Sequence, residues 1–242
     1  MLDISISEDE KALAIMAHDL KAPLTAVVSI LSVINKGYVT DITKIRELVE
    51  RASNKTETLI QMVDDILDYT LLSDKSMLKR EKIDLHDVLK DTVTTMKQYT
   101  DSRKMTFVHP EFTGSRIVLG NYTFLLRAFN NVVMNAIKYN KERGTITIEC
   151  VDDFENDAYI VSVSDTGIGI PEEDKDKVFK IFERGRNARK NINGSIGLGL
   201  SLVKHIVDDH YGKIELSSTV DVGTTIKITL PLYYEEGGTD ES

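Results

Sequence analysis

Apolar residues recur three and four apart from Leu13 through Met16, Leu20, Leu24, Val27 and Leu31 to Ile34, the spacing of one helix face. At about 100° per residue they fill a stripe roughly 80° wide. A second run, Ile42, Ile45, Val49, Ala52, Thr56, Leu59, Val63, Ile66 and Thr70, alternates steps of three and four without a slip. That is a coiled-coil seam of about four heptads. Between residues 8 and 72 the helical pattern breaks once, at 35–41. Gly37 there suits a helix C-cap, and Thr40 or Asp41 suits the next N-cap. So short a connection predicts an antiparallel hairpin. A hairpin has no third element to cover Val28, Ile30, Leu48, Met62 and Leu67. Two copies would bury them in a four-helix bundle, so the pattern predicts a homodimer. The alternative is that these residues pack on the second half of the chain.

After the polar joint Ser73-Asp74-Lys75-Ser76 the periodicity changes. Residues 84–100, 121–140 and 199–210 read as helices. Strand-like alternation appears at 104–109, 145–151, 158–164, 213–218 and 224–230. Helices interspersed with such strands predict an α+β sandwich, a sheet covered on one face. The boundaries drawn are a helical hairpin at 1–72, a linker at 73–81, a second domain at 82–232, and a tail at 233–242 expected to be disordered.

Composition narrows the function. With 242 residues and 41% hydrophobic content the chain can build ordinary cores. No apolar run reaches the roughly 18 residues of a spanning helix, and no basic-then-apolar leader is visible. A cytoplasmic location is expected, compatible with the soluble part of a longer, membrane-tethered chain. The single cysteine, Cys150, excludes an internal disulfide and a cysteine-based metal site, and its alternating surroundings predict a buried structural thiol. A formal charge of −9 argues against nucleic acid. The local cluster Arg184, Arg186, Arg189 and Lys190 suits a small anionic ligand instead. His86, His109, His205 and His210 lack metal-site spacing and read mostly as surface residues.

His18 is different. It lies roughly 160° from the centre of the first helix's apolar stripe, with Asp19 beside it and Pro23 five residues on. An imidazole on the wet side, next to a carboxylate that can take its proton, is a candidate nucleophile. Pro23 has no N–H for the carbonyl of Asp19 and is expected to kink the helix.

Four segments of the second half carry further chemistry. In Asn131-Val132-Val133-Met134-Asn135-Ala136-Ile137-Lys138-Tyr139-Asn140, the residues Asn131, Asn135 and Lys138 share a helix face. Two amide oxygens and an ammonium suit a hydrated Mg²⁺ and the phosphates it carries, though a solvated polar face reads the same way. Asp165-Thr166-Gly167-Ile168-Gly169-Ile170-Pro171 follows a strand; its glycines admit a flat ligand and its carboxylate can accept from an exocyclic amine. Gly194-Ser195-Ile196-Gly197-Leu198-Gly199-Leu200 opens a helix whose backbone N–H groups can face an anion. The polar stretch between Phe179-Lys180-Ile181-Phe182-Glu183 and Asn193 reads as a lid over phosphates. Asp221-Val222-Gly223-Thr224-Thr225 reads as a turn into the last strand.

In this order the segments resemble the asparagine, first glycine, phenylalanine and second glycine boxes of the histidine kinase catalytic domain, an ATP-binding α/β sandwich of the GHKL type. The run His18-Asp19-Leu20-Lys21-Ala22-Pro23-Leu24 resembles the histidine box of the dimerisation and phosphotransfer domain. The resemblance spans roughly residues 8–232. It implies a two-component sensor kinase that binds Mg-ATP, autophosphorylates on His18 with Asp19 as base, and passes the phosphoryl group to an aspartate of a response-regulator receiver domain. It implies Asn135 as the Mg²⁺ ligand, Asn131 and Lys138 near the phosphates, and Tyr139 near the nucleotide. Asp165 would read adenine in a pocket shaped by Gly167 and Gly169. Gly197 and Gly199, with Leu198 between them, would lie at the phosphate end of the lid.

Relatives that hydrolyse ATP place a glutamate where this chain has Asn131, which favours transfer to histidine over hydrolysis. Lys21 replaces the commoner arginine. Ala22, one helical turn after His18, replaces the Thr or Asn usual in kinases that also dephosphorylate their regulator, so weak phosphatase activity is expected. Two rival readings are a dimeric nucleotide-binding module without transfer and a GHKL-type ATPase.

Overall fold

In the computed structural model, residues 8–72, 79–180 and 199–234 are described. The first half is a helical hairpin: α1 (Glu8–Asn35) and α2 (Ile42–Leu72) pack against each other. The turn between them follows from its residues. Gly37 takes φ +71°, its N–H donates to Ile34 O, and the Tyr38 N–H donates to Val33 O at 3.2 Å. These bonds satisfy the last carbonyls of α1, and the left-handed residue is free of a Cβ penalty. Asp41 caps α2, its Oδ1 accepting from Lys44 N at 2.9 Å.

The apolar positions of the hairpin divide unequally. Leu24 and Leu31 of the α1 stripe, Ile42, Val49 and Val63 of the α2 seam, and Val28 and Leu67 are all exposed in the single chain. Met62, expected to need a second copy, is instead 4% exposed within one chain.

The second half begins with β1 (Glu81–Asp84) and α3 (Leu85–Ser102), then β2 (Thr106–Val108), β3 (Ile117–Gly120) and α4 (Tyr122–Lys138). The long strands β4 (Thr145–Asp153) and β5 (Ala158–Asp165) follow. Then come α5 (Gly199–Asp209), β6 (Lys213–Thr219) and β7 (Gly223–Pro231). Five strands form one sheet in the order β2-β4-β5-β7-β6; β2 runs parallel to β4 and the other pairs are antiparallel. Strands β1 and β3 form a separate antiparallel ribbon.

Alternation along the strands decides which face is covered. Ile146, Ile148, Val161, Val163, Ile226 and Ile228 are buried against Leu89, Leu125, Phe129, Val133, Leu202 and Ile206 of the three helices. In register between them, Glu149, Ser162, Lys227 and Glu215 form a row across the opposite face, with Thr147, Ser164, Thr225 and Ser217 beside it. This is the one-sided α/β sandwich that the periodicity predicts.

Two expectations need correction. The pattern missed β1 and β3, four-residue strands too short to alternate visibly, and extended β2 beyond its three residues. His86 and His210 are core residues, each 3% exposed, whereas His109 and His205 do lie on the surface. Burial is tolerated because both ring nitrogens of each are hydrogen-bonded. His86 Nδ1 pairs with Gly114 O at 3.0 Å and Nε2 with the Tyr159 hydroxyl at 2.8 Å. His210 Nδ1 donates to Ile206 O at 2.7 Å and Nε2 accepts from Asn121 N at 3.0 Å. Cys150 is half-buried, and burial pushes its thiol pKa up.

Candidate functional site

The buried stripe of α4 (Leu125, Phe129, Val132, Val133, Ala136 and Ile137) is fixed in the core, which turns Asn131, Asn135 and Lys138 toward its other side. The start of α5 lies against that side. A Cβ placed on Gly199 would be 3.3 Å from Asn131 Oδ1 and 3.8 Å from Asn135 Nδ2. Two segments far apart in sequence therefore meet, amides on one side and the glycine start of α5 on the other. A helix N-terminus presents the positive end of the helix dipole. Asn131 Nδ2 is anchored to Arg127 O at 3.2 Å.

Asp165 ends β5 beside the C-terminus of α4. The Gly167 N–H donates to its Oδ1 at 2.7 Å, and the Thr224 N–H to the same oxygen at 3.3 Å. Its Oδ2 has no hydrogen bond among the described residues. Burial pushes the Asp165 pKa up to about 6, against the two backbone donors that lower it. The Ile168 N–H donates to Tyr139 O at 3.0 Å, joining this loop to the end of α4. A Cβ on Gly167 would collide with Tyr139 O and come within 2.7 Å of Asp165 Oδ1. Gly169, at φ +66°, lies directly against Thr219 O. The loop is closed by Asp221 N–H to Ile168 O at 2.9 Å and Ile170 N–H to Ser218 Oγ at 2.8 Å.

Sequence reasoning undervalued the segment 221–225. Gly223 packs on the Asp165 carbonyl, Thr224 helps hold the carboxylate, and Ser218 Oγ donates to Gly223 O at 2.9 Å. Asn140 was likewise missed as a support: its Nδ2 donates to Thr145 O, while its Oδ1 accepts from Lys141 N and from Thr166 Oγ1. Gly223, where the turn enters β7, was the available signal for the first, and nothing in residue spacing announced the second. Lys138 Nζ sits 5.6 Å from the Tyr139 ring centroid.

His18 and Asp19 lie on α1, but their side chains are outside the described residues, as are Gly197, Leu198 and the cations Arg184, Arg186, Arg189 and Lys190. Among the described residues no cluster of three His, Cys, Asp or Glu could hold a metal. Any cation at Asn135 would therefore rely on amide oxygens, water and the anion it accompanies. No helix among the described residues is long and apolar enough to cross a membrane.

Comparison with known proteins matches both halves. The family described as "His Kinase A (phospho-acceptor) domain" matches residues 9–74, and "Histidine kinase-, DNA gyrase B-, and HSP90-like ATPase" matches residues 120–234. The sensor histidine kinase WalK of Bacillus subtilis is 30% identical over 230 residues, covering 95% of this chain and 37% of WalK. The chain spans 34% and 58% of the length of two further curated relatives. Among solved structures, the mycobacterial sensor histidine kinase MprB is 25% identical with a TM-score of 0.56, over 65% of this chain and all of that one. Histidine kinase ThkA, in complex with response regulator protein TrrA, superposes with a TM-score of 0.73 at 24% identity, over 97% of this chain and 64% of that one.

Proposed function

The chain belongs to the histidine kinases, and from that premise we propose that its second half binds Mg-ATP and phosphorylates His18. The phosphoryl group then passes to an aspartate of a response-regulator receiver domain. One observation carries this reading. The amides of α4 meet the glycine N-terminus of α5, while the Asp165 carboxylate, whose Oδ2 has no hydrogen bond among the described residues, lies beside the C-terminus of the same helix.

Each part has a physical task. Asp165 Oδ2 accepts from the exocyclic amine of adenine, while Gly167 and Gly169 leave room for the flat base. The phosphates lie between Asn131, Lys138 and the start of α5 with Gly197, Leu198 and Gly199, where backbone N–H groups and the helix dipole favour anions. Tyr139 lines the nucleotide. The donor set suits Mg²⁺, a hard ion that keeps its waters and takes oxygen ligands, with Asn135 Oδ1 as the protein ligand. When bound, the ion neutralises charge on the β- and γ-phosphates.

Transfer is a displacement at phosphorus. A ring nitrogen lone pair of His18 attacks the γ-phosphorus, the bond to the bridging oxygen breaks, and ADP leaves with that electron pair. Asp19 stabilises the positive charge developing on the imidazole and takes its other N–H proton. Asn131 lacks the carboxylate needed to activate water, so hydrolysis does not compete. In the second step a receiver aspartate oxygen attacks the same phosphorus and the N–P bond breaks. That ThkA, with the same fold, was crystallised with a response regulator supports a receiver domain as partner.

Incubation with γ-labelled ATP tests the reading. Label should be acid-labile, alkali-stable, and absent in both His18→Ala and Asn135→Ala. Label retained in His18→Ala would overturn the assigned acceptor; steady phosphate release without labelling would favour an ATPase.

The exposed apolar residues on α1 and α2 support a homodimer, with the hairpins joined in a four-helix bundle.

A further inference from the structure

The ends of α4 and α5 remote from the nucleotide site are tied together, and the tie extends to Arg80, just before β1. Asp209 is the last residue of α5, so its carbonyl lacks a helical partner. Arg80 Nη2 donates to that carbonyl at 2.6 Å, lies 3.6 Å from the Asp209 carboxylate, and places its guanidinium 4.4 Å from the Tyr211 ring centroid. A cation here also complements the negative end of the helix dipole.

The next residue continues the connection. His210 Nδ1 donates to Ile206 O inside α5, while Nε2 accepts the backbone N–H of Asn121, the N-cap of α4. Burial keeps the ring neutral by lowering its pKa, which preserves the Nε2 lone pair. Gly120 shows how closely the parts fit: a Cβ there would land on the His210 ring. Helix α2 itself packs against α5. At 11 residues α5 is a lever about 16 Å long, with Gly199 at its far end.

We propose that Arg80 positions the nucleotide site from behind: through Asp209 and His210 it sets how α5 lies against α4, and with it the affinity for ATP. The inference rests on the reading that the phosphates lie between Asn131, Asn135 and the start of α5. Arg80 and His210 are positioning residues; neither touches that site.

Calorimetric titration of the whole chain with Mg-ATP tests the relay, together with the KM and kcat of labelling. Arg80 lies at the surface, so Arg80→Ala is expected to stay folded and to melt in one cooperative transition. Its ATP affinity should fall about 5-fold or more, with KM moving and kcat following little. Arg80→Lys, which restores the cation without the planar stack, should recover part of the loss. His210→Gln should weaken binding as well, and the double variant should be no worse than the weaker single one, because both interrupt one relay. Affinity of Arg80→Ala within about twofold of the parent, or multiplying effects in the double variant, would overturn the proposal while leaving the site intact. If the parent chain binds no Mg-ATP, or Asp165→Asn binds as tightly as the parent, the site reading itself fails and the relay falls with it.

Discussion

Asp165 holds its charge at the expense of the fold. Its pKa is raised by burial to about 6 from an ordinary 3.8, so the folded chain favours the protonated form. The resulting destabilisation is full above pH 6 and disappears as pH falls through 6 toward 4. Asp165→Asn keeps an acceptor for the Gly167 and Thr224 N–H groups without the charge. It should therefore raise stability at pH 7.5 by about 1–3 kcal/mol, with no gain at pH 4, in thermal melts across that range. Nucleotide binding should be lost in the same variant. In the parent chain, ATP affinity should decline below pH 6, where a proton on Oδ2 opposes the incoming amine. Ala22, exposed on α1 one turn beyond His18, makes the opposite kind of prediction, a gain. Ala22→Thr restores a hydroxyl that can hold water and should speed His18-dependent dephosphorylation of a purified phospho-regulator. Spacing alone placed Asn131 and Asn135 on one helix face, while their site role came from the order of the boxes. His86 and His210 were not, because their partners Tyr159 and Asn121 lie 73 and 89 positions away.

Helices and long strands announced themselves because each has several turns or alternations in which to show a period. The end of α1 and the start of α2 followed from Gly37 and Asp41, whereas the register of β4, β5 and β7 became visible only in the structure. β1 and β3 had no such repetition; their pairing depends on each other and not on any local pattern. The loop after β5 is the element most constrained by tertiary contact. Gly169→Ala meets both a left-handed backbone and the Thr219 carbonyl. It should lower stability by about 1–3 kcal/mol and abolish nucleotide binding, measured by melting and by titration with Mg-ATP.

At the scale of the molecule, the hairpin leaves apolar residues from both helices in water, and only a second copy of the same surface is symmetric with them. The proposed homodimer predicts that Val49→Glu with Val63→Glu gives a monomer in equilibrium sedimentation at micromolar concentration, with the nucleotide-binding domain still folded. Mixing His18→Ala with Asn135→Ala chains then tells whether transfer crosses between subunits, since label appears only if it does. The one-sided sheet has a different consequence. Among the described residues its other face, crossed by Glu149, Ser162, Lys227 and Glu215, supports no helix and supplies no group to the nucleotide pocket. A spectroscopic reporter attached at position 162 would therefore ride on the domain as a passenger. Paired with a second reporter on the hairpin, it would let the distance between kinase domain and phosphate acceptor be followed through turnover.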